Sequence, residues 1–363
     1  MRIQKKSLEL LSLMALFATA AAIFLYLIGQ YALIEQHPFQ FFADSSTYHK
    51  VYAGDSPNFD GNLVAVNANY LGPIVILEIL GGNIYLVMLL NVYLFCHSII
   101  RITHLLKLDP LKVGVLLLLS PLTISSLMSV NKEVLIYPFI AVALTAYMRR
   151  SMAAAVLALF MTILVRWQLT GVYLVILLVS SRVSMVRRGT VLVVLLMSLS
   201  ALYVAIQDWI EPVIAYVEAS FESYEGEGSG LFEVTLNLQK QGLYFLVFPI
   251  KAFHLMFGLG FKLDKLLDPV EIYNDFFVSG HCLAAFIAFL VLLKRRLLTL
   301  RSDLMFAAVI FLAVFCLSPI FAPRYLYPVY VIGVLVLCGA PARLPRKTGP
   351  ARRISARLQP MSI

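Results

Sequence analysis

Four short polar motifs interrupt a largely apolar chain, and each carries a side chain suited to proton transfer or to anion binding. They are centred on Asp44, on Lys132 and Glu133, on Arg166 and on Arg324. A carboxylate can accept a proton from a nucleophile, and nearby cations stabilise negative charge that grows on a leaving group. If the four motifs meet in the fold, they therefore supply the parts of a displacement reaction at an anionic substrate.

Asp44 lies in the segment Phe41-Phe-Ala-Asp-Ser-Ser-Thr-Tyr48, just beyond the first apolar run. Its aromatic neighbours and the nearby low dielectric predict a pKa raised toward that of a useful general base. The alternative interpretation is structural, because aspartate before Ser-Ser-Thr-Tyr commonly caps a helix. The sequence leaves both interpretations open.

Lys132 and Glu133 belong to an Asn-Lys-Glu motif at the start of a predicted helix. Glu133 is favourable near a helix N-terminus, and Lys132 is placed to bind an anion beside the exposed N–H groups. A solvated turn with a local ion pair explains the same residues equally well.

Arg166 separates two apolar runs that are too short for two full spans, so the sequence predicts a shallow hairpin with the arginine at its tip. Phosphate is the partner that suits a guanidinium in such a position. The alternative is an ion pair with Glu133 or Asp44. Arg324 and Tyr325 lie between prolines that fix a turn at the outer membrane boundary.

Lys251 and His254 add two further cationic or titratable groups within the apolar stretch 243–261. Both are candidates for substrate binding. Snorkelling of the lysine toward water explains Lys251 about as well.

The amino-acid composition indicates the environment in which these motifs lie. Of the 363 residues, 61% are hydrophobic and 13% are charged, whereas soluble domains carry about 25% charged residues. The mean hydropathy is +0.87. This balance excludes an ordinary soluble enzyme and predicts an all-α, polytopic membrane protein.

The net charge of +9 comes from basic clusters that lie between the apolar runs. Such clusters orient a membrane protein with its positive loops in the cytoplasm, so we predict no nucleic-acid partner. The four cysteines lie in apolar segments without metal-ligand spacing.

Fitting helices between the basic clusters predicts a transmembrane domain over residues 1–342 with both termini in the cytoplasm. The ten predicted crossings are 8–30, 83–100, 113–130, 133–148, 152–166, 168–181, 189–208, 276–293, 303–320 and 325–340. Stretches 63–80 and 243–261 are predicted to be re-entrant or interfacial helices on the external side. Residues 35–62 and 208–241 form external loops, with a lid or a linker at 225–230, and residues 343–363 form a basic cytoplasmic tail.

This topology places all four motifs on the external side, where they suit a lipid phosphate or diphosphate whose chain stays in the membrane. The chain resembles GT-C-type membrane glycosyltransferases, particularly those of bacterial surface-polysaccharide biosynthesis. The resemblance rests on Asp44 within Asp-Ser-Ser-Thr-Tyr, on Asn131-Lys-Glu after Ser120-Pro, on the Arg166 hairpin and on Arg324-Tyr325 with Pro328. The chain departs from that pattern in having neither an Asp-x-Asp pair in the first loop nor a large soluble C-terminal domain.

The resemblance implies an inverting transfer of a sugar from a polyprenyl-phosphate-linked donor to a lipid-linked or polysaccharide acceptor, within a bacterial inner membrane. Asp44 would be the base, and Lys132, Arg166 and Arg324 would hold the departing polyprenyl phosphate. No cofactor is required by the sequence, although Asp55 and Asp60 are candidates for assisting a divalent cation. A repeat-unit polymerase and a lipid-linked glycan transporter or flippase are the alternatives.

Overall fold

A computed structural model describes residues 2–29, 41–54, 70–166, 168–182, 187–208, 229–258, 266, 272–318 and 323–339. Within these ranges the chain is helical and contains no strand, which confirms the predicted all-α class. The predicted tail at 343–363, Asp55, Asp60 and most of the segment 225–230 lie outside the described residues.

Most of the α-helices follow the apolar runs, and three short helices of other types join them within the described ranges. The α-helices are α1 Arg2–Ile28, α2 Ala43–Ala53, α3 Leu71–Leu80, α4 Ile84–Leu106, α5 Pro110–Leu118, α6 Pro121–Met128, α7 Ile136–Arg149, α8 Met152–Val165, α9 Gln168–Arg182, α10 Arg188–Ala205, α11 Ser229–Lys240, α12 Tyr244–Phe257, α13 Ser279–Lys294, α14 Asp303–Phe315 and α15 Tyr327–Cys338. Lys132–Leu135 and Pro323–Leu326 form 3-10 helices, and Ile272–Val278 forms a π-helix.

Side-chain caps define where several of these helices begin. Asn83 accepts hydrogen bonds from the backbone of Tyr85 and Leu86 at the start of α4. Asp109 caps α5 in the same way, directly before a proline at the first helical position. These caps satisfy N–H groups that would otherwise lack partners in an apolar environment.

Among the described residues, four helices are long and apolar enough to cross a membrane, or five if one bent pair counts as a single span. The four are Gln4–Ile28, Ile84–Leu106, Arg188–Ala205 and Asp275–Lys294. Many of their leucine, isoleucine and valine side chains point outward, which is compatible with a lipid-facing surface. Ten crossings would require the shorter apolar helices to span the membrane as well. The helix lengths alone do not support that number of crossings.

The predicted crossing at 113–130 is not one continuous helix, although α5 and α6 together are long and apolar enough for one bent span. Helices α5 and α6 meet at Ser120-Pro121 with a bend of 94°. Proline has no N–H to continue the helical ladder, so the chain breaks there and starts a new helix. The bend redirects the chain toward the Asn131 motif.

Short helices occupy the described parts of the stretches predicted to be re-entrant or looped. Helix α3 has 10 residues and α12 has 14, whereas a spanning helix needs about 20. Helix α2 lies within the predicted loop 35–62, and α11 lies within the predicted loop 208–241. The described parts of both predicted loops are therefore mainly helical.

A small apolar cluster fixes α2 against the end of the bundle. Phe42, which precedes α2, packs with Leu25 from the last turn of α1, Ile84 from the first turn of α4 and Met128 from the end of α6. These contacts place Asp44 at the end of the bundle where α1 ends and α4 begins.

Candidate functional site

Asp44 and Arg324 form an ion pair although they are 280 residues apart in the sequence. Arg324 Nη1 donates to Asp44 Oδ2 at 2.7 Å. The two side chains are 24% and 17% exposed, so this pair lies near the surface of the site. The contact joins the first polar segment to the 3-10 helix that precedes α15.

Arg166 and Glu133 form a second ion pair that is more deeply buried. Arg166 Nη2 donates to Glu133 Oε1 at 2.8 Å, with 6% and 0% of the side chains exposed. This is the ion pair that the sequence left as an alternative for Arg166. Glu133 Oε2 is buried and has no hydrogen-bond partner in the part of the chain that the structure describes.

The Tyr325 ring lies among the three cations and joins the two ion pairs. Arg166 Cζ is 3.7 Å from the ring centroid, Arg324 Cζ is 5.8 Å away and Lys132 Nζ is 6.0 Å away. Cations within about 6 Å of an aromatic face are attracted by its quadrupole. The ring therefore helps to keep three like charges close together.

Lys132 gives the cluster an excess of positive charge. Its side chain is buried, and within the described ranges its ammonium group makes neither a hydrogen bond nor an ion pair. Burial, assisted by the charge of Arg166, lowers the pKa of Lys132 to about 8. Three cations face two carboxylates when Lys132 is protonated, an arrangement that suits an anionic ligand.

The two expectations for Asp44 are both wrong. Burial raises the pKa of the Asp44 carboxyl, but Arg324 and Lys132 outweigh burial, so the pKa is lowered rather than raised. The N-cap of α2 is Phe42, and Asp44 lies within the first turn instead. Asp44 is therefore a carboxylate held by a guanidinium and not a helix cap.

Buried asparagines shape the segment that presents Lys132 and Glu133. Asn91 of α4 donates to the carbonyls of Ser126 and Ser129, at 3.2 and 2.7 Å. Asn131 Oδ1 accepts from the backbone N–H of Glu133 at 3.2 Å and caps the following 3-10 helix. These bonds satisfy backbone groups where the chain leaves α6.

Arg166 lies where α8 ends, and the pairing of α8 with α9 forms the predicted hairpin. The hydroxyls of Thr162 and Thr170 join the two helices at 2.7 Å. Helix α3 approaches closely at Gly72, where an added Cβ would lie 2.0 Å from the carbonyl oxygen of Leu164. Glycine at this position allows α3 to pack against the helix that ends in Arg166.

Lys251 and His254 lie on α12, and the hydrogen bonds of Lys251 go to groups outside the two ion pairs. Lys251 Nζ donates to Gln239 Oε1 at 2.6 Å and to the Ser318 carbonyl at 2.9 Å. His254 is buried on the same helix, one turn further along. Lys251 is thus buried and hydrogen-bonded to protein groups, so simple snorkelling to water does not describe it.

Tyr48 is a neighbour of the site to which the sequence assigned no role. It follows Asp44 by four residues on α2, so both lie on one face of the helix. Burial, together with the charges of Asp44 and Glu133, raises the pKa of Tyr48 well above its ordinary value. Recognising 43–53 as a helix would have identified this pair from its spacing.

The site geometry favours anion binding over metal binding. Across the described ranges, no group of three or more histidine, cysteine, aspartate or glutamate side chains is arranged to hold a metal ion. The two carboxylates of the site are each paired with an arginine.

Comparisons with protein-family models, curated proteins and solved structures find no match to the chain.

Proposed function

We propose that the chain is an inverting GT-C-type membrane glycosyltransferase that moves a sugar from a polyprenyl-phosphate-linked donor to a glycan acceptor. The observation that carries this proposal is the cluster of Lys132, Arg166, Arg324 and Asp44 around Tyr325. The cluster combines a proton acceptor with an excess of positive charge. Those are the two requirements for displacing a phosphate from an anomeric carbon.

The proposal includes the topology that follows from the basic clusters. Ten crossings with both termini in the cytoplasm put the cluster on the extracytoplasmic side of a bacterial inner membrane. At that depth a donor headgroup reaches the cations while its prenyl chain stays in the lipid. Short apolar helices span such a membrane only where it thins or where neighbouring segments extend them.

In the proposed reaction Lys132 and Arg166 both act on the donor phosphate. Lys132, whose ammonium group forms no ion pair at contact distance within the described ranges, binds the donor phosphate first. Arg166 stays oriented by Glu133 and directs its remaining N–H groups toward the same oxygens. Together they stabilise the negative charge that grows on the phosphate as it leaves.

Asp44 accepts the proton of the acceptor hydroxyl. The acceptor oxygen forms a bond to the anomeric carbon, the bond from that carbon to the phosphate oxygen breaks, and polyprenyl phosphate leaves with the electron pair. Attack from the face opposite the phosphate inverts the anomeric configuration.

The ion pair of Asp44 with Arg324 links donor binding to this step. In the unliganded protein Arg324 lowers the pKa of Asp44 and makes the carboxylate a weak base. A donor phosphate that draws Arg324 toward itself neutralises that charge and raises the pKa of Asp44. The base is then activated only when the donor is present.

The test is complementation of a strain that lacks the gene, with the surface glycan analysed by gel electrophoresis and mass spectrometry. Asp44→Asn is expected to give no product at normal membrane abundance. Glu78→Gln is the matched control, because Glu78 is an exposed carboxylate on α3 and its removal should leave the glycan unchanged.

The form of the defect separates the proposed activity from its competitors. Loss of a transferase shortens the repeat unit, whereas loss of a polymerase leaves complete single units. Loss of a transporter leaves complete lipid-linked glycan on the cytoplasmic side. Product formation by Asp44→Asn at the wild-type level would remove Asp44 from the mechanism.

A further inference from the structure

A second basic site lies at the other end of α4 and α7. A cavity of about 250 Å³ is lined by His97, Ile100, Arg101, His104, Leu105 and Arg149. Two guanidinium groups and two imidazoles thus face one cavity, and no carboxylate lines it among the residues that the structure describes. This composition differs from that of the Asp44 cluster, where carboxylates pair with the arginines.

The helices that connect the two sites separate them along the bundle axis. Helix α4 begins at Ile84, beside Phe42, and its last turns carry Arg101 and His104. Helix α7 follows Lys132–Leu135 and ends at Arg149. Its 14 residues correspond to a rise of about 21 Å. The basic cavity is therefore not an extension of the Asp44 cluster.

The Arg101 side chain is held in place by a threonine of α7. Arg101 Nε donates to Thr145 Oγ1 at 3.2 Å, and Thr145 in turn donates to the Ala141 carbonyl at 2.7 Å. The structure gives the two terminal nitrogens of Arg101 no hydrogen bond within the described residues. A guanidinium fixed through Nε keeps its terminal N–H groups for an external acceptor.

The surface of α4 leading to the cavity is apolar and exposed. Leu89 and Tyr93 are 51% and 61% exposed, and the Tyr93 ring stacks on His97 at 5.8 Å. Leu89, Tyr93, His97 and Arg101 follow one another at four-residue intervals, which places them along one helix face. That face changes from hydrocarbon-like to cationic over a few turns, as a phospholipid changes from acyl chain to phosphate.

We propose that this cavity binds the phosphate group of an anionic membrane phospholipid. Arg101 and Arg149 contact the phosphate oxygens, the two histidines contribute hydrogen bonds, and the acyl chains lie along Leu89 and Tyr93. Basic cavities between transmembrane helices bind anionic headgroups by the same combination of charge and lipid access. This site does not depend on the proposed glycosyl transfer.

The test measures phospholipid retention by the purified full chain. Native mass spectrometry is carried out after titration with phosphatidylglycerol, with phosphatidylcholine or with inorganic phosphate. We expect phosphatidylglycerol to be retained at least tenfold more strongly than phosphatidylcholine. We expect the variant Arg149→Gln/His104→Gln to lose that difference, because it removes two cavity groups that are exposed and lie at helix ends.

Arg150→Gln is the matched control, since it removes the same charge from the next residue, which does not line the cavity. It should retain phosphatidylglycerol as the wild type does. Arg101→Gln is a second variant, which removes the guanidinium that Thr145 holds. Equal loss in Arg150→Gln, or equal retention of both lipids by the wild type, would overturn the site. Displacement of the lipid by inorganic phosphate at equal concentration would assign the cavity to soluble phosphate and overturn the lipid assignment.

Discussion

Two buried groups of charges at opposite ends of the bundle are built on different principles. At one end, Arg188 pairs with Asp303 and donates to the carbonyls of Leu300 and Arg301, while Tyr147 donates to the second Asp303 oxygen at 2.7 Å. One cation meets one carboxylate, and both carboxylate oxygens accept a hydrogen bond. Each end keeps one buried polar atom without a hydrogen-bond partner among the described residues, Arg188 Nε at the first and Glu133 Oε2 at the other, but the Asp44 cluster also retains an additional cation in Lys132.

We interpret this difference as that between a structural ion pair and the proposed ligand site. Burying a charge without compensation costs several kcal/mol, so folding alone favours the balanced arrangement at Asp303. The excess charge beside Asp44 lowers stability unless an anion neutralises it. Substitutions at the two ends should therefore affect different measured quantities.

The largest expected effect is the loss of activity in Asp44→Asn. Removing the proposed proton acceptor should lower kcat/KM by about 10²–10⁴-fold, the usual contribution of a general base. The measurement is transfer of labelled sugar by purified protein, normalised to folded protein. Asp303→Asn, tested in parallel, should keep the wild-type kcat/KM per folded molecule. Equal losses in both variants would contradict the distinction between the two ends.

The second prediction is that Asp303→Asn lowers the stability of the protein. Asp303→Asn leaves Arg188 as a buried, uncompensated charge, so the free energy of unfolding should fall by about 3–5 kcal/mol. Thermal unfolding in detergent measures this change. A double variant, Arg188→Leu with Asp303→Leu, should recover part of the loss because no charge remains unpaired. An Asp303→Asn protein as stable as the wild type would show that this pair contributes little to folding.

The comparison also shows how far the sequence alone leads to the site. The basic clusters assign Asp44, Lys132, Arg166 and Arg324 to one side of the membrane, and the structure brings these four together. The positions of basic clusters predict on which side of the membrane a residue lies, but not where it lies around the helix bundle. They therefore leave open which cation pairs with Asp44, and they do not predict that Lys251 bonds to Gln239 and to the Ser318 carbonyl.

Local structure was harder to predict where tertiary contacts override composition. The polar segment at 43–53 is helical because Phe42 fixes its start against the apolar ends of α1 and α4. Its low hydrophobicity gave no periodic signal for that packing. The lowered pKa of Asp44 depends on Arg324, which is far away in sequence, so no local pattern could predict it.

A smaller and pH-dependent effect is expected at Lys132. Lys132→Met should lower kcat/KM by about 10- to 150-fold, because a charge-assisted hydrogen bond contributes about 1.5–3 kcal/mol. The wild-type rate should fall as the pH rises through about 8, where the ammonium group loses its proton. Lys132→Arg should extend the active range upward, because a guanidinium stays charged above pH 12.

Stability and activity should diverge in this pH range, which provides the control. The pKa of Lys132 is about 8 in the folded protein and 10.5 for an ordinary lysine. The unfolded chain therefore binds more protons between these values, so the Lys132 contribution to stability rises with pH. A loss of activity that accompanies thermal unfolding above pH 8 would assign the effect to other groups.

The smallest expected effect tests how the cluster holds its cations together. The Tyr325 ring lies 3.7 Å from Arg166 Cζ, so Tyr325→Leu removes a cation–π contact of about 0.5–2 kcal/mol. That energy corresponds to a loss of about 2- to 30-fold in kcat/KM. Tyr325→Phe keeps the aromatic face and should remain within about twofold of the wild type. If the ring positions Arg166 for the leaving phosphate, the loss in Tyr325→Leu appears in kcat, whereas a loss confined to KM would mean that the ring acts in donor binding alone.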